Sequence, residues 1–225
     1  AGCGEVDVVA TARNERRGGS GRLSLEEWRL MRLEISRADE MREAVIKRCR
    51  DLQKLAKKTV FELHRGMPAD ARISQASSIA QELMQLAGGD PELLGGGALP
   101  ACLEELSEAT AFATFLKHRR ILTLEEARPA GPEEYIGGLL DMTGELVRLS
   151  VARATARDVI TVQECALAVD RIVAQLEGLD GLAEGVRHKL DVARGALRKL
   201  EGLVTDLALS RRRSVGRDLG PDPGE

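Results

Sequence analysis

Residues 99–116, LPACLEELSEATAFATFL, decide the fold class. At about 100° per residue, Leu99, Cys102, Leu103, Leu106, Ala109, Phe112, Ala113 and Leu116 fall on one broad arc, which makes the segment an amphipathic helix. Pro100 suits the first turn, where its missing N–H costs nothing, and the helix is predicted to run to about Ile121. Two carboxylates break the pattern. Glu105 falls inside the apolar arc and Glu108 projects between Phe112 and Phe115, whereas Glu104 and Ser107 point away. A buried carboxylate is costly unless it is paired, hydrogen-bonded or bound to a cation.

The same period recurs on both sides of this segment. Ser24 followed by Glu27 is a capping-box signal, opening a helix of more than 40 residues that Gly66 and Pro68 close. A second helix is predicted over roughly Asp70–Leu86, stopped by Gly88 and Gly89, with a glycine-rich loop over Asp90–Ala98. Thr123 caps a short turn through Glu125 and Glu126, and the breakers of Arg128–Pro132 precede a fourth helix from Glu133 to about Ala154. A fifth is predicted near Thr161, with Glu164 completing a capping box, and a last one over about Leu182–Arg211. No segment has the strict alternation of a strand, so the class is all-α. Residues 1–22 lack apolar periodicity and read as a disordered basic arm. A single domain is expected over 23–213 and a flexible tail over 214–225.

Composition narrows the function. Aromatic residues are only 2%, one Trp, one Tyr and three Phe, too few for a nucleic-acid binder of the RRM or OB type that stacks successive bases on rings. The 33 basic and 36 acidic side chains leave a net charge of −3, which excludes a uniformly cationic protein but not a local basic patch. The four cysteines, Cys3, Cys49, Cys102 and Cys165, form no CxxC pair, so a structural zinc site is not expected. With no signal peptide and no run long enough to span a membrane, a cytoplasmic location is expected, also nuclear if the source is eukaryotic.

On the fourth helix Asp141 and Glu145 are spaced i, i+4 on one face, flanking the apolar arc of Ile136, Leu139, Leu140, Met142, Leu146 and Leu149. Arg148 lies on the same side, within reach of either acid. Glu105 and Glu108, at i and i+3, can share a cation. Oxygen-only ligands suit Mg²⁺ or Mn²⁺, an ion able to polarise a phosphodiester and acidify an attacking water. Periodicity alone leaves a metal site and boundary salt bridges both open. The histidines His64, His118 and His188 are dispersed and no ExxH or HExxH occurs, which disfavours a di-iron centre or a zincin. No P-loop, GxGxxG or GxSxG is present.

Between Arg42 and Arg65 there are eight basic residues, Lys57 and Lys58 among them, against three acids. Lys117-His118-Arg119-Arg120 ends the helix that carries Glu105 and Glu108. A helix C-terminus and a solvated face account for such blocks equally well. Acids for a metal beside bases for phosphate are nevertheless what a metal-dependent nuclease requires.

GPEEYIGGLLDMTGELVRLSV (131–151) resembles the central signature of the translin superfamily. AKKTVFELHR (56–65), FLKHRRILTLEEA (115–127) and HKLDVARGALRKLE (188–201) are more similar to its X branch, that of translin-associated factor X, than to translin. The likeness runs from about residue 38 to 213 in order and spacing. It implies a seven-helix layered bundle that assembles into barrel-like oligomers, and, for the X branch, Mg²⁺-dependent endoribonuclease activity on single-stranded RNA. It implies catalytic acids at Glu105 and Glu108 of ELSEA and at Asp141 and Glu145 of DMTGEL, the same four the helical projection singles out. All four are expected to serve one or two Mg²⁺ or Mn²⁺ ions, with Glu108 and Glu145 as direct ligands. Lys57, Lys58, Arg119, Arg120 and Arg148 are expected to hold phosphates.

The chain departs from the pattern at two places. The link Ala127–Pro132 is short where animal X subunits carry a long insertion, which fits a homo-oligomer better than an obligatory translin partner. SVARATARDV (150–159) lacks the glycine-containing turn of translins, so no nucleotide-binding role is carried over to it. Two alternatives stand beside the nuclease: a non-catalytic, translin-like binder of single-stranded DNA or RNA, and an assembly scaffold.

Overall fold

The computed structural model describes residues 24–89 and 97–218, with side chains to residue 211. The expected arm over 1–22, the centre of the glycine-rich loop and residues 219–225 lie outside the described residues. Six helices and no strand occur among the described residues: α1 (Leu25–Leu63), α2 (Asp70–Ala87), α3 (Ala98–His118), α4 (Pro132–Thr155), α5 (Val159–Glu177) and α6 (Glu184–Asp218). The all-α class is as expected, and the described helices are one fewer than the seven implied by the resemblance. No described helix is long and apolar enough to cross a membrane.

The chain divides into two compact units after Glu43. In the first, the capping box is made in both directions: Glu27 N–H donates to Ser24 Oγ at 3.1 Å and Ser24 N–H donates to the Glu27 carboxylate. This part of α1 leaves Leu25, Trp28, Leu30, Leu33 and Ile35 exposed and buries no described residue.

The second unit holds the core. From residue 44 onward α1 buries Val45, Cys49, Leu52, Ala56 and Val60, a three- and four-residue spacing that keeps one stripe inward. Arg48 joins this stripe's flank to Glu82 of α2 at 2.7 Å, and Arg72 of α2 pairs with buried Glu62. Gly88 ends α2 in the left-handed conformation at φ 55°, its N–H donating to the carbonyls of Met84 and Gln85, a position that favours glycine. Phe112 and Phe115 of α3, Met142 and Leu146 of α4 and Leu200 of α6 are fully buried. α4 is central, packing against α3, α5 and α6.

Three expectations are corrected here. Ser107 is buried, its hydroxyl donating to Leu103 O at 2.9 Å, and half-buried Glu104 faces α4 rather than solvent. The reason is that α3 packs against both α2 and α4, so a projection that assumes one inward face misplaces the second. Helix α5 is capped by Asp158, not Thr161: Asp158 Oδ1 accepts from Thr161 N–H at 3.1 Å and Oδ2 from its hydroxyl at 2.7 Å. Finally, α6 continues to Asp218, seven residues past its expected end at Arg211.

Candidate functional site

The i, i+3 pair of α3 and the i, i+4 pair of α4 meet because those two helices approach unusually closely. Gly137 and Gly138 lie at the crossing, over the Glu104 side chain and over the backbone between Glu104 and Glu108. As a result Glu105, Glu108, Asp141 and Glu145 all line one cavity of about 400 Å³. Lys57, Val60 and Phe61 of α1 and Arg148 of α4 complete its lining.

Burial chiefly, and then the negative charges of Asp141, Glu105 and Glu145, push the Glu108 carboxyl up to about 8, against a smaller opposing pull from Lys189. The other three acids have basic partners. Lys57 Nζ stands 3.0 Å from Glu105, and Lys189 of α6 reaches Asp141 at 2.5 Å and Glu104 at 2.6 Å. Glu145 is held by His64 Nε2 and lies 3.7 Å from Arg148, one of the two pairings expected for that arginine. The His64 ring packs on Phe112, with centroids 4.8 Å apart, so its orientation is fixed from below by the core.

In donor chemistry the four residues fit a hard divalent ion: carboxylates only, gathered in one cavity, with mutual repulsion that a cation would relieve. In placement they do not form a ligand shell, since no group of three or more His, Cys, Asp or Glu among the described residues stands close enough to hold a metal. The carboxylates turn instead toward basic side chains from α1, α6 and the turn after α1.

Of the five expected phosphate contacts, Lys57 and Arg148 line the cavity. Exposed Lys58 does not, although it is Lys57's neighbour on α1. Arg119 and Arg120 belong elsewhere. They lie eleven and twelve positions after Glu108, at and just past the end of α3, roughly 16 Å along the axis. There Arg119 pairs with Glu164 at 3.3 Å and Arg120 makes a two-pronged pair with Glu126.

Sequence reasoning missed Phe61, His64, Lys189 and the role of Glu104. Phe61 and His64 share a helical face with Lys57, which is the one signal that could have found them. Lys189 gave none, because it comes from a helix whose register against α4 no local pattern reveals. Burial works to lower its pKa, but its bonds to Asp141 and Glu104 outweigh that and hold the ammonium charged. Lys189→Met, of similar length but uncharged, would strand two half-buried carboxylates; a loss of about 1–2 kcal/mol is expected in urea denaturation.

Residues 40–211 match the model of the translin family. Among solved structures, that of apo-NeC3PO is similar over 83% of this chain and all of its own, with 19% identity and a TM-score of 0.75. The AfC3PO–duplex RNA complex is similar over 82% of this chain and 97% of its own, at 20% identity and TM-score 0.67. The crystal structure of AfC3PO covers 84% of this chain and 99% of its own, at 22% identity and TM-score 0.62. At these identities the likeness establishes the fold. Searched by sequence, no curated protein matches the chain.

Proposed function

This chain belongs to the translin family, and from that premise we propose that it is a divalent-metal-dependent endoribonuclease of the translin-associated factor X kind, acting on single-stranded RNA. One observation carries the reading: all four acids of the ELSEA and DMTGEL segments line a single cavity, where burial first and the charges of the other three second push the Glu108 carboxyl up to about 8.

Glu108 and Glu145 would be the direct ligands of Mg²⁺ or Mn²⁺, with Glu105 and Asp141 completing the set. When bound, such an ion supplies a polarised phosphodiester and a more acidic attacking water. Around it, the chain positions the strand. Lys57 and Arg148, exposed at the cavity, hold phosphate oxygens. His64, seated on Phe112, orients the Glu145 carboxylate. Glu108, whose proton is kept first by burial and then by the repulsion of its neighbours, would have to give it up to accept a cation, whose charge offsets both. In this reading the chain assembles with copies of itself or with a translin subunit.

A translin-like binder without catalysis is the second reading. The pairing of Glu105, Asp141 and Glu145 with Lys57, Lys189 and His64 favours it. A cleavage assay on 5′-labelled single-stranded RNA separates the two, with Mg²⁺, Mn²⁺ or EDTA, a duplex RNA arm, and a Glu108→Ala/Glu145→Ala double variant. Internal cuts are expected with either ion, and none in EDTA or with the double variant. Intact RNA in every lane, with a retarded band on a native gel, establishes the binder instead.

A further inference from the structure

We propose that Phe61, together with Arg65, forms a stacking site for an unpaired nucleobase next to the phosphate held at the acid-lined cavity. The inference rests on the nucleic-acid-binding part of the function proposed above, not on its catalytic part. Of the three phenylalanines, Phe112 and Phe115 are fully buried, at 0% and 1% exposure, whereas Phe61 is 47% exposed. The one exposed phenyl ring therefore stands on the wall of the cavity that holds the four acids. The Arg65 guanidinium lies over that ring, 4.3 Å from its centroid.

The guanidinium covers one face of the phenyl ring, and exposed Arg65 continues the stack outward as a flat surface that carries a positive charge. Every nucleobase has a π-face that suits such a surface, and the charge adds cation–π attraction without demanding a particular base. Lys57, one helical turn before Phe61, supplies the cation for the adjoining phosphate. An exposed phenylalanine alone would need no explanation. Lining the same cavity as Lys57 and the carboxylates, it fits the base of a nucleotide whose phosphate Lys57 would hold. Bases inside a duplex present no free face, so the site also accounts for selection of single strands.

The test is carried out in EDTA, so that binding is read without cleavage. Fluorescence anisotropy compares a labelled short oligouridylate with an abasic ribose-phosphate strand of the same length and charge. The native chain is expected to bind the base-bearing strand about tenfold more tightly than the abasic one. Phe61→Ala should bind the two strands almost equally, while keeping its affinity for the abasic strand; Phe61→Trp should keep the discrimination. A native chain that does not discriminate, or does not bind either strand, overturns the proposal. So does a Phe61→Ala variant that discriminates as the native chain does. Because Mg²⁺ plays no part, discrimination by a protein that fails to cleave would refute the nuclease and leave the stacking site standing.

Discussion

Glu108→Gln is expected to make the metal-free protein more stable at pH 8 and to remove its cleavage activity in the same step. In the folded chain the Glu108 carboxyl is held up to about 8, against an ordinary value of 4.5. Below about pH 4.5 the group is protonated in both states and its surroundings cost nothing. Between there and pH 8 the folded state keeps a proton that the unfolded state has released, so stability falls as pH rises. Above pH 8 the loss is complete. A shift of this size, discounted for the water that reaches a half-buried group, corresponds to roughly 2–4 kcal/mol. Glutamine keeps the volume and carries no charge to be lost. In EDTA at pH 8 the variant should therefore melt on the order of 5–10 °C higher, with the gap closing toward pH 5. Added Mg²⁺ should raise the native melting temperature and leave that of the variant unchanged, because an ion stabilises only the state that binds it. Cleavage should fall by more than the roughly 10–100-fold that outlying partners of a metal site cost. Parallel melting curves across the whole pH range would show that burial and the neighbouring charges do not hold a proton on Glu108.

That pattern, stability given up at a cluster of like charges, also explains what the sequence could and could not reveal. Local signals located most of the helices. The Ser24–Glu27 box and Gly88 mark helix ends because each satisfies backbone groups left open there, Pro132 because the first turn needs no N–H from it, and the Thr123–Glu126 pair marks the turn between α3 and α4. The four acids were visible as carboxylates at or near apolar arcs, but spacing alone could not separate a metal site from boundary ion pairs. Only the motif resemblance tied them to one chemistry. What stayed hidden depends on the register between helices. Lys189 meets Asp141 across 48 residues and His64 meets Glu145 across 81. Neither pairing follows from a period of 3.6. Glu104 and Ser107 were misplaced for a related reason: a helix packed on two sides has no single outward face.

The close crossing of α3 and α4 is what makes the cavity, and Gly138→Ala is expected to destroy it. A Cβ at residue 138 would stand 2.6 Å from Ser107 Cβ, 2.7 Å from the Glu108 backbone nitrogen and 2.8 Å from the Glu104 carbonyl oxygen. Two of these atoms are backbone, so no rotamer change relieves the clash and the helices must part. Overpacking of this kind costs about 1–3 kcal/mol or more, against which alanine recovers roughly 1 kcal/mol of helix propensity. Gly144 supplies the control. It lies exposed on the same helix, between Asp141 and Glu145, with nothing within 4 Å of its ideal Cβ. Gly144→Ala should therefore gain up to about 1 kcal/mol. Urea denaturation should place the two variants on opposite sides of the native chain. The activities should divide more sharply still, because the backbone that Gly138→Ala displaces is that of Glu108 itself. A small movement there shifts one carboxylate relative to the pair on α4, and a site that depends on four charges from two helices cannot absorb it by a side-chain rotation. If both variants instead unfold at the same urea concentration and cleave alike, the glycine is not what holds these helices together, and the cavity owes its shape to the surrounding core.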